Sequence, residues 1–157
     1  NLDVLLVGNS YATEVQSGWF DASVGTVLLG SGDGRFEARS GSETGFFVDG
    51  DAKGIAEVWL GGERSAVLVT QNADSLRIFA GAQPAKRGMV ELRPGDTWAS
   101  LTFADGRKRR EELYHGSTYL SQSSRVLAVP EGVVEVVVHD RSGAARTEVP
   151  SPPGGVS

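Results

Sequence analysis

Short apolar runs, separated by turns rich in glycine, recur along the whole chain. Clear examples are the residues 3–7, 24–29, 66–70 and 133–138. These runs are rich in Val and Leu, which favour strands, and no stretch shows the 3.6-residue periodicity of an amphipathic helix. The 21 glycines supply the positive-φ positions that tight β connections need. The pattern therefore predicts an all-β fold built from many short strands.

The first half of the chain shows an internal repeat. Asn9 follows one strand-like run and Asn72 follows a matching run, and each is followed by a further strand-like segment. The first copy differs by an insert, residues 10–23, which carries several aromatic side chains: Tyr11, Trp19 and Phe20. Repeats of roughly 40–50 residues with about four short strands are typical of propeller blades. We therefore expect residues 1–80 to form one to one and a half blades of a partial β-propeller.

The second half is expected to be a separate, small antiparallel β module. Pro and Gly interrupt the pattern at residues 81–88, which predicts a linker. Strand-like runs then resume over residues 89–149, where Asp105-Gly106 is a strong hairpin signal. Residues 150–157 contain too little apolar surface to fold and are predicted to be a flexible tail.

A short acidic loop is the candidate metal site. Asp49, Asp51 and Glu57 have a spacing similar to that of a calcium loop, in which carboxylates at alternate positions surround a hard cation. Lys53 stands where a third oxygen ligand would be expected, and an ammonium repels a divalent ion. We therefore favour a degenerate loop without a cofactor, in which Lys53 pairs with Asp49 or Asp51; calcium is the alternative.

Composition and charge exclude several functions. With 15 Lys and Arg against 20 Asp and Glu, the net charge of -5 argues against nucleic acid as a partner. The absence of cysteine excludes disulfides and thiolate chemistry. No apolar run is long enough to predict a membrane span. The chain begins with Asn1, so we expect a piece of a longer polypeptide whose signal peptide lies outside it.

Other candidate sites have simpler structural explanations. The glycine-rich residues 30–34 are expected to form a β-turn, and the basic residues 107–110 a solvated hairpin edge. A hydrolase using His115 with Ser117 or Ser121 stays an alternative, although a serine-rich loop is favoured. Four aromatic side chains could form a sugar-stacking platform, but we favour packing roles for them: Trp19, Phe20, Trp59 and Trp98.

Two stretches resemble known families. Residues 3–79 resemble the final repeats of bacterial FG-GAP or VCBS-type β-propellers, through the segments 3–9, 25–36, 49–51 and 67–72. Residues 89–147 are similar to the ASPIC/UnbV module that follows such propellers in cartilage-acidic-protein-like sequences. The matching segments are 105–111, 116–125, 132–138 and 140–143.

The resemblance implies a secreted, periplasmic or cell-surface protein without established chemistry. Its expected function is a non-catalytic binding or adhesion scaffold for a protein or glycan ligand, in a calcium-associated family. An alternative is a carbohydrate-binding module of a polysaccharide-processing system, supported by the aromatic insert between Tyr11 and Phe20.

Overall fold

The computed structural model describes residues 2–20, 22–60, 64–80, 88–116 and 118–149. Within these residues the protein is all-β, with about half of the chain in short antiparallel strands, as predicted. The described strands are β1 (Val4–Leu6), β2 (Thr26–Gly30), β3 (Phe36–Arg39), β4 (Ala52–Trp59), β5 (Ser65–Gln71), β6 (Arg77–Ala80), β7 (Gly88–Glu91), β8 (Asp96–Phe103), β9 (Lys108–Glu112), β10 (Val126–Val129), β11 (Val133–Asp140) and β12 (Ala145–Glu148). The predicted tail 150–157 and most of the predicted linker, residues 81–87, lie outside the described residues.

One short helix departs from the sequence prediction, which expected none. Helix α1 (Gly41–Thr44) begins after Ser40, whose backbone N–H donates to Glu43 Oε2 at 2.8 Å in a capping box. It ends at Gly45, which has a left-handed φ of 72°. A single turn is too short to show periodicity, so only its caps could have indicated it.

The chain divides into two compact units. The first contains Asn1–Ala56, Val67–Phe79 and Thr118–Ser121. The second contains Glu57–Ala66, Ala80–Ser117 and Gln122–Ser157. Strands β4 and β5 therefore contribute residues to both units, whereas the sequence pattern predicts them within residues 1–80 only.

The first unit contains the antiparallel sheet β1-β2-β3, and β6 and parts of β4 and β5 of the sheet β4-β5-β6. In β2, Leu28 lies opposite Val4 of β1 and Ala38 of β3. The predicted turn at residues 30–34 lies at the short connection from β2 to β3, residues 31–35, where the Ser31 N–H donates to the backbone oxygen of Arg35 at 3.0 Å. Gly30 is required there, because a Cβ at this position would lie 2.1 Å from the backbone oxygen of Leu2.

A small apolar core holds the first unit together. Its buried members are Phe46, Val48, Ala52 and Val69. The ring of Phe46 packs against that of Phe79 with a centroid separation of 4.7 Å. Half-buried side chains from the first unit's strands and adjoining segments complete the cluster: Leu5, Val7, Val27, Ile55 and Val67.

The second unit is built on the antiparallel sheet β12-β11-β8-β9, with β7 and β10 forming a separate antiparallel pair. Alternate residues of β8 and β11 point inward, and Leu101 lies opposite Val136 in the register. These side chains form one buried cluster with residues of β7 and β10: Val90, Ala99, Leu101, Leu127, Val129, Val136 and Val138. Because period-2 alternation buries one face of each strand, Trp98, Ser100 and Thr102 of β8 lie on the face opposite the buried Ala99 and Leu101.

Among the described residues, no helix is both long and apolar enough to cross a membrane.

Candidate functional site

Lys53 occupies the centre of the acidic loop in the first unit. Its Nζ lies 2.6 Å from Asp51 Oδ1 and donates a hydrogen bond of 2.6 Å to the backbone oxygen of Asn9. Asp51 is buried, and its other oxygen accepts a hydrogen bond from Asn72 Nδ2 at 3.1 Å. Contact with the Lys53 ammonium is the main reason that the pKa of Asp51 lies below its usual value. An internal ammonium thus supplies the positive charge that this carboxylate needs.

Asn9 is the second organising residue of this region, and it is buried. Its Oδ1 accepts hydrogen bonds of 3.0 Å from the backbone N–H groups of Ala22 and Ser23. Its Nδ2 donates to the backbone oxygen of Gly50 at 2.9 Å. The two repeat asparagines, Asn9 and Asn72, therefore meet at the same acidic loop, which the sequence alone did not indicate.

The predicted metal ligands do not fit a calcium site as they stand. Asp49 pairs with Arg77 at 3.0 Å, and Asp51 pairs with Lys53. Glu57 lies six positions beyond Asp51 in the extended strand β4 and is exposed, and residues so spaced along a strand do not share a ligand. Within the described part of the chain, no group of three or more His, Cys, Asp or Glu side chains is arranged to hold a metal ion.

Residues 10–20, here named the aromatic loop, follow directly after Asn9, and Ser10 and Phe20 form the base of the loop. Paired backbone hydrogen bonds of 2.9 Å between Ser10 and Phe20 close the loop. The ring of Trp19 lies 5.1 Å from that of Tyr11, whose hydroxyl donates to the backbone oxygen of Asp49 at 3.2 Å. The loop therefore has a fixed base and an ordered aromatic pair.

The expectation that all four aromatic side chains have packing roles is wrong for two of them. Trp19 is 76% exposed and Phe20 is 60% exposed. Both belong to the insert, and an insert of this length lies outside the alternation that assigns strand residues to a core. Trp59 and Trp98 are half-buried, and Trp98 stacks on His139 at 3.6 Å, with Arg110 over its ring at 4.2 Å.

The basic run 107–110 lies at the edge of the larger sheet of the second unit, as predicted. Three of its arginines pair with nearby acids: Arg107 with Asp105, Arg109 with Glu111 and Arg110 with Glu112. The hydrogen bond from the Arg107 side chain is the main cause of the lowered pKa of Asp105. The pairs of Arg107 and Arg110 are exposed and that of Arg109 is half-buried, and charged side chains along a sheet edge discourage pairing with another chain.

The residues of the hydrolase alternative have other contacts where they are described. His115 Nε2 lies 3.1 Å from the backbone oxygen of Pro94, and a carbonyl only accepts, so this nitrogen carries the proton. Ser121 donates to the backbone oxygen of Tyr119 at 3.0 Å. Ser117 lies outside the described residues. The hydrolase alternative stays a prediction without support from these contacts.

A buried ion pair and a multiply bonded arginine in the second unit were missed by the sequence analysis. Arg146 binds both oxygens of Asp96, at 2.5 and 2.6 Å, and the Asp96 side chain is 1% exposed. The bond to Arg146 is the main reason that the pKa of Asp96 is lowered. Arg125 donates to four backbone oxygens, those of Arg93, Asp96, Leu113 and Tyr114. A lone arginine before the apolar strand β10 is the one sequence signal that could have indicated this role.

Comparison of the chain with protein-family models, with curated proteins and with solved structures found no match.

Proposed function

We propose that this chain is a non-catalytic binding module of an extracellular protein, and that the aromatic loop contacts a glycan. The observation that supports this most strongly is the exposure of Trp19 on a loop whose base is fixed. An exposed indole loses the packing energy that a buried one would provide, and contiguous exposed apolar surface marks interaction sites.

The ordering of the loop supports binding rather than an incidental exposure. Asn9 holds the residues that follow the loop, and Lys53 holds the backbone oxygen of Asn9 itself. A surface that is already ordered loses less conformational entropy when it binds a ligand. The fixed base therefore favours recognition by the loop as it stands.

A glycan fits the chemistry of this surface. Trp19 and Tyr11 are tilted by 31° to each other and combine flat apolar rings with polar atoms at their edges. The faces of a sugar ring present C–H groups, and its hydroxyls can meet the polar edges. The ligand class that we propose is accordingly a neutral or acidic cell-surface polysaccharide.

The relation to FG-GAP and VCBS propellers is part of the same proposal. It is supported by two sheets whose strands are neighbours in chain order, β1-β2-β3 and β4-β5-β6, and by the convergence of Asn9 and Asn72 on one acidic loop. The ammonium of Lys53 takes the place of a cation in this loop. We therefore propose that ligand binding by this chain needs no calcium.

The experiment is a glycan array probed with the whole chain in the presence of EDTA. We expect at least one polysaccharide class to bind, and Trp19→Ala to weaken that binding at least tenfold, because tryptophans at the centre of an interface commonly dominate its energy. Tyr119→Ala is the matched control, since Tyr119 is 74% exposed and lies in the same unit outside the loop. Absence of glycan binding, or equal binding by the Trp19→Ala variant, would overturn the proposal.

A further inference from the structure

A cavity of about 380 Å³ lies at one end of the larger sheet of the second unit. Its walls are the segment 94–97 at the start of β8, the segment 112–115 at the end of β9, and Arg141 after β11. The volume is within the range of small-molecule sites. No part of this cavity belongs to the aromatic loop, which lies in the first unit.

Hydrogen bonds to backbone oxygens hold the three walls together. The N–H of Arg141 donates to the backbone oxygen of Gly95 at 3.0 Å, and that of Leu113 to the backbone oxygen of Thr97 at 2.8 Å. His115 Nε2 donates to the backbone oxygen of Pro94 at 3.1 Å. Each wall is thus bonded to another, so the cavity does not depend on side-chain packing alone.

Arg125 strengthens this arrangement. Its guanidinium donates to the oxygens of Leu113 and Tyr114 on one wall, at 3.4 and 3.2 Å. It also donates to the oxygens of Arg93 and Asp96, both at 3.1 Å, at the other. One side chain therefore fixes the separation of the two walls, which is the type of support that a preformed site requires.

Three polar groups of the lining are not engaged by the described residues. The Arg141 guanidinium and the Tyr114 hydroxyl have no hydrogen-bond or ion-pair partner there, and His115 uses only Nε2, which leaves Nδ1 open. The residues that line the cavity thus carry a cation, a hydroxyl and an imidazole nitrogen that no described residue engages. These groups can recognise a carboxylate together with neighbouring hydroxyls.

One charged side chain of the cavity lining has no ion-pair partner among the described residues. Of the two acids in its lining, Glu112 pairs with Arg110 at 2.6 Å and Asp96 pairs with Arg146. Arg141 is then the lining charge that lacks a counter-charge among the described residues. A carboxylate would supply that counter-charge, and the guanidinium fork suits it geometrically.

We propose that this cavity binds a carboxylated monosaccharide. The carboxylate pairs with Arg141, the sugar hydroxyls meet His115 Nδ1 and the Tyr114 hydroxyl, and the ring lies against the exposed face of Tyr114. The site extends the proposed function, because it is separate from the aromatic loop and selects for negative charge.

The test is a titration of the whole chain with D-glucuronate, followed by NMR chemical-shift changes, with D-glucose as the uncharged control. We expect saturable binding of D-glucuronate and at least tenfold weaker binding of D-glucose. Arg141→Gln should weaken D-glucuronate binding at least tenfold, and Tyr114→Phe about threefold, because it removes a single hydroxyl. Arg107→Gln is the matched control, since Arg107 is an exposed arginine of the same unit in the turn between β8 and β9.

The outcomes separate this proposal from the proposed function. D-glucuronate binding that survives in Trp19→Ala but is lost in Arg141→Gln supports the cavity, whatever the glycan array shows. No saturable binding by the natural chain, equal affinity for D-glucuronate and D-glucose, or equal affinity in the Arg141→Gln variant would overturn it. If Trp19→Ala loses D-glucuronate binding while Arg141→Gln keeps it, the sugar binds at the aromatic loop and the cavity proposal is also overturned.

Discussion

The ion pair between Asp96 and Arg146 provides the sharpest stability prediction. Replacing Arg146 by Met leaves the Asp96 carboxylate almost fully buried, with one remaining hydrogen bond from the Arg93 N–H at 2.7 Å. Breaking a buried ion pair by removing one partner costs about 3–5 kcal/mol, because the other charge stays uncompensated. Stabilities of single domains are about 5–15 kcal/mol, so this loss is a large fraction of the total.

The assay is urea unfolding of the whole chain at pH 7, followed by tryptophan fluorescence. Arg107→Met is the matched control, because its pair with Asp105 is solvent-exposed and such pairs contribute about 0–1 kcal/mol. A double variant, Asp96→Asn with Arg146→Met, should recover most of the loss, since it removes the buried charge. If Arg146→Met costs no more than Arg107→Met, the assignment of this pair as a buried stabilising contact is refuted.

The pH dependence of the same pair has a defined sign. The pKa of Asp96 is lowered in the folded state, chiefly by the bond to Arg146, from an unfolded value of 3.8. The contribution of the Asp96–Arg146 pair to the free energy of unfolding is therefore fully present above about pH 4. It is lost as the pH falls through the folded-state pKa of Asp96. The stability difference between the natural chain and Arg146→Met should consequently narrow as the pH is lowered from 7 to 3. A difference that is constant over this range would contradict the linkage.

Three further predictions follow from individual contacts. Arg125→Lys should lower the free energy of unfolding by about 2–4 kcal/mol, because one ammonium cannot donate to four carbonyls in two segments, and it should also weaken D-glucuronate binding. Gly30→Ala should cost about 1–3 kcal/mol in the same urea assay, since its Cβ would collide with the backbone oxygen of Leu2; a cost below 0.5 kcal/mol would contradict this close approach, on the scale of about 1 kcal/mol for overpacking. Lys53→Met should speed hydrogen exchange of the two amides that bond Asn9, and unchanged exchange would exclude the ammonium as the support of the loop base.

Local sequence signals predicted the strands well. Turn residues such as Asp105-Gly106 indicate a hairpin directly, and the strand β11 is visible as a β-branched run. The position of the basic residues 107–110 at a sheet edge was predicted from the alternation of side chains along a strand and from the acids that follow them. Helix α1 was missed because a single turn has no periodicity to detect.

Contacts between distant residues could not be predicted in the same way. Asp96 and Arg146 are 50 positions apart, and only the pairing of β12 with β11, and of β11 with β8, brings them together. The pairing of Lys53 with Asp51 was foreseen as one of two alternatives, because the two residues are close in sequence. The exposure of Trp19 could not be read from its residue type, since the same indole would suit a core.

The leading proposal is that the aromatic loop contacts a polysaccharide. Hydroxyl-radical footprinting with mass spectrometry tests it most directly, by comparing labelling of Trp19 and Tyr119 with and without a polysaccharide that the array identifies. We predict that the ligand protects Trp19 while Tyr119, of nearly equal exposure in the free chain, is labelled as before. Equal labelling of Trp19 in the free and the bound chain would contradict the account.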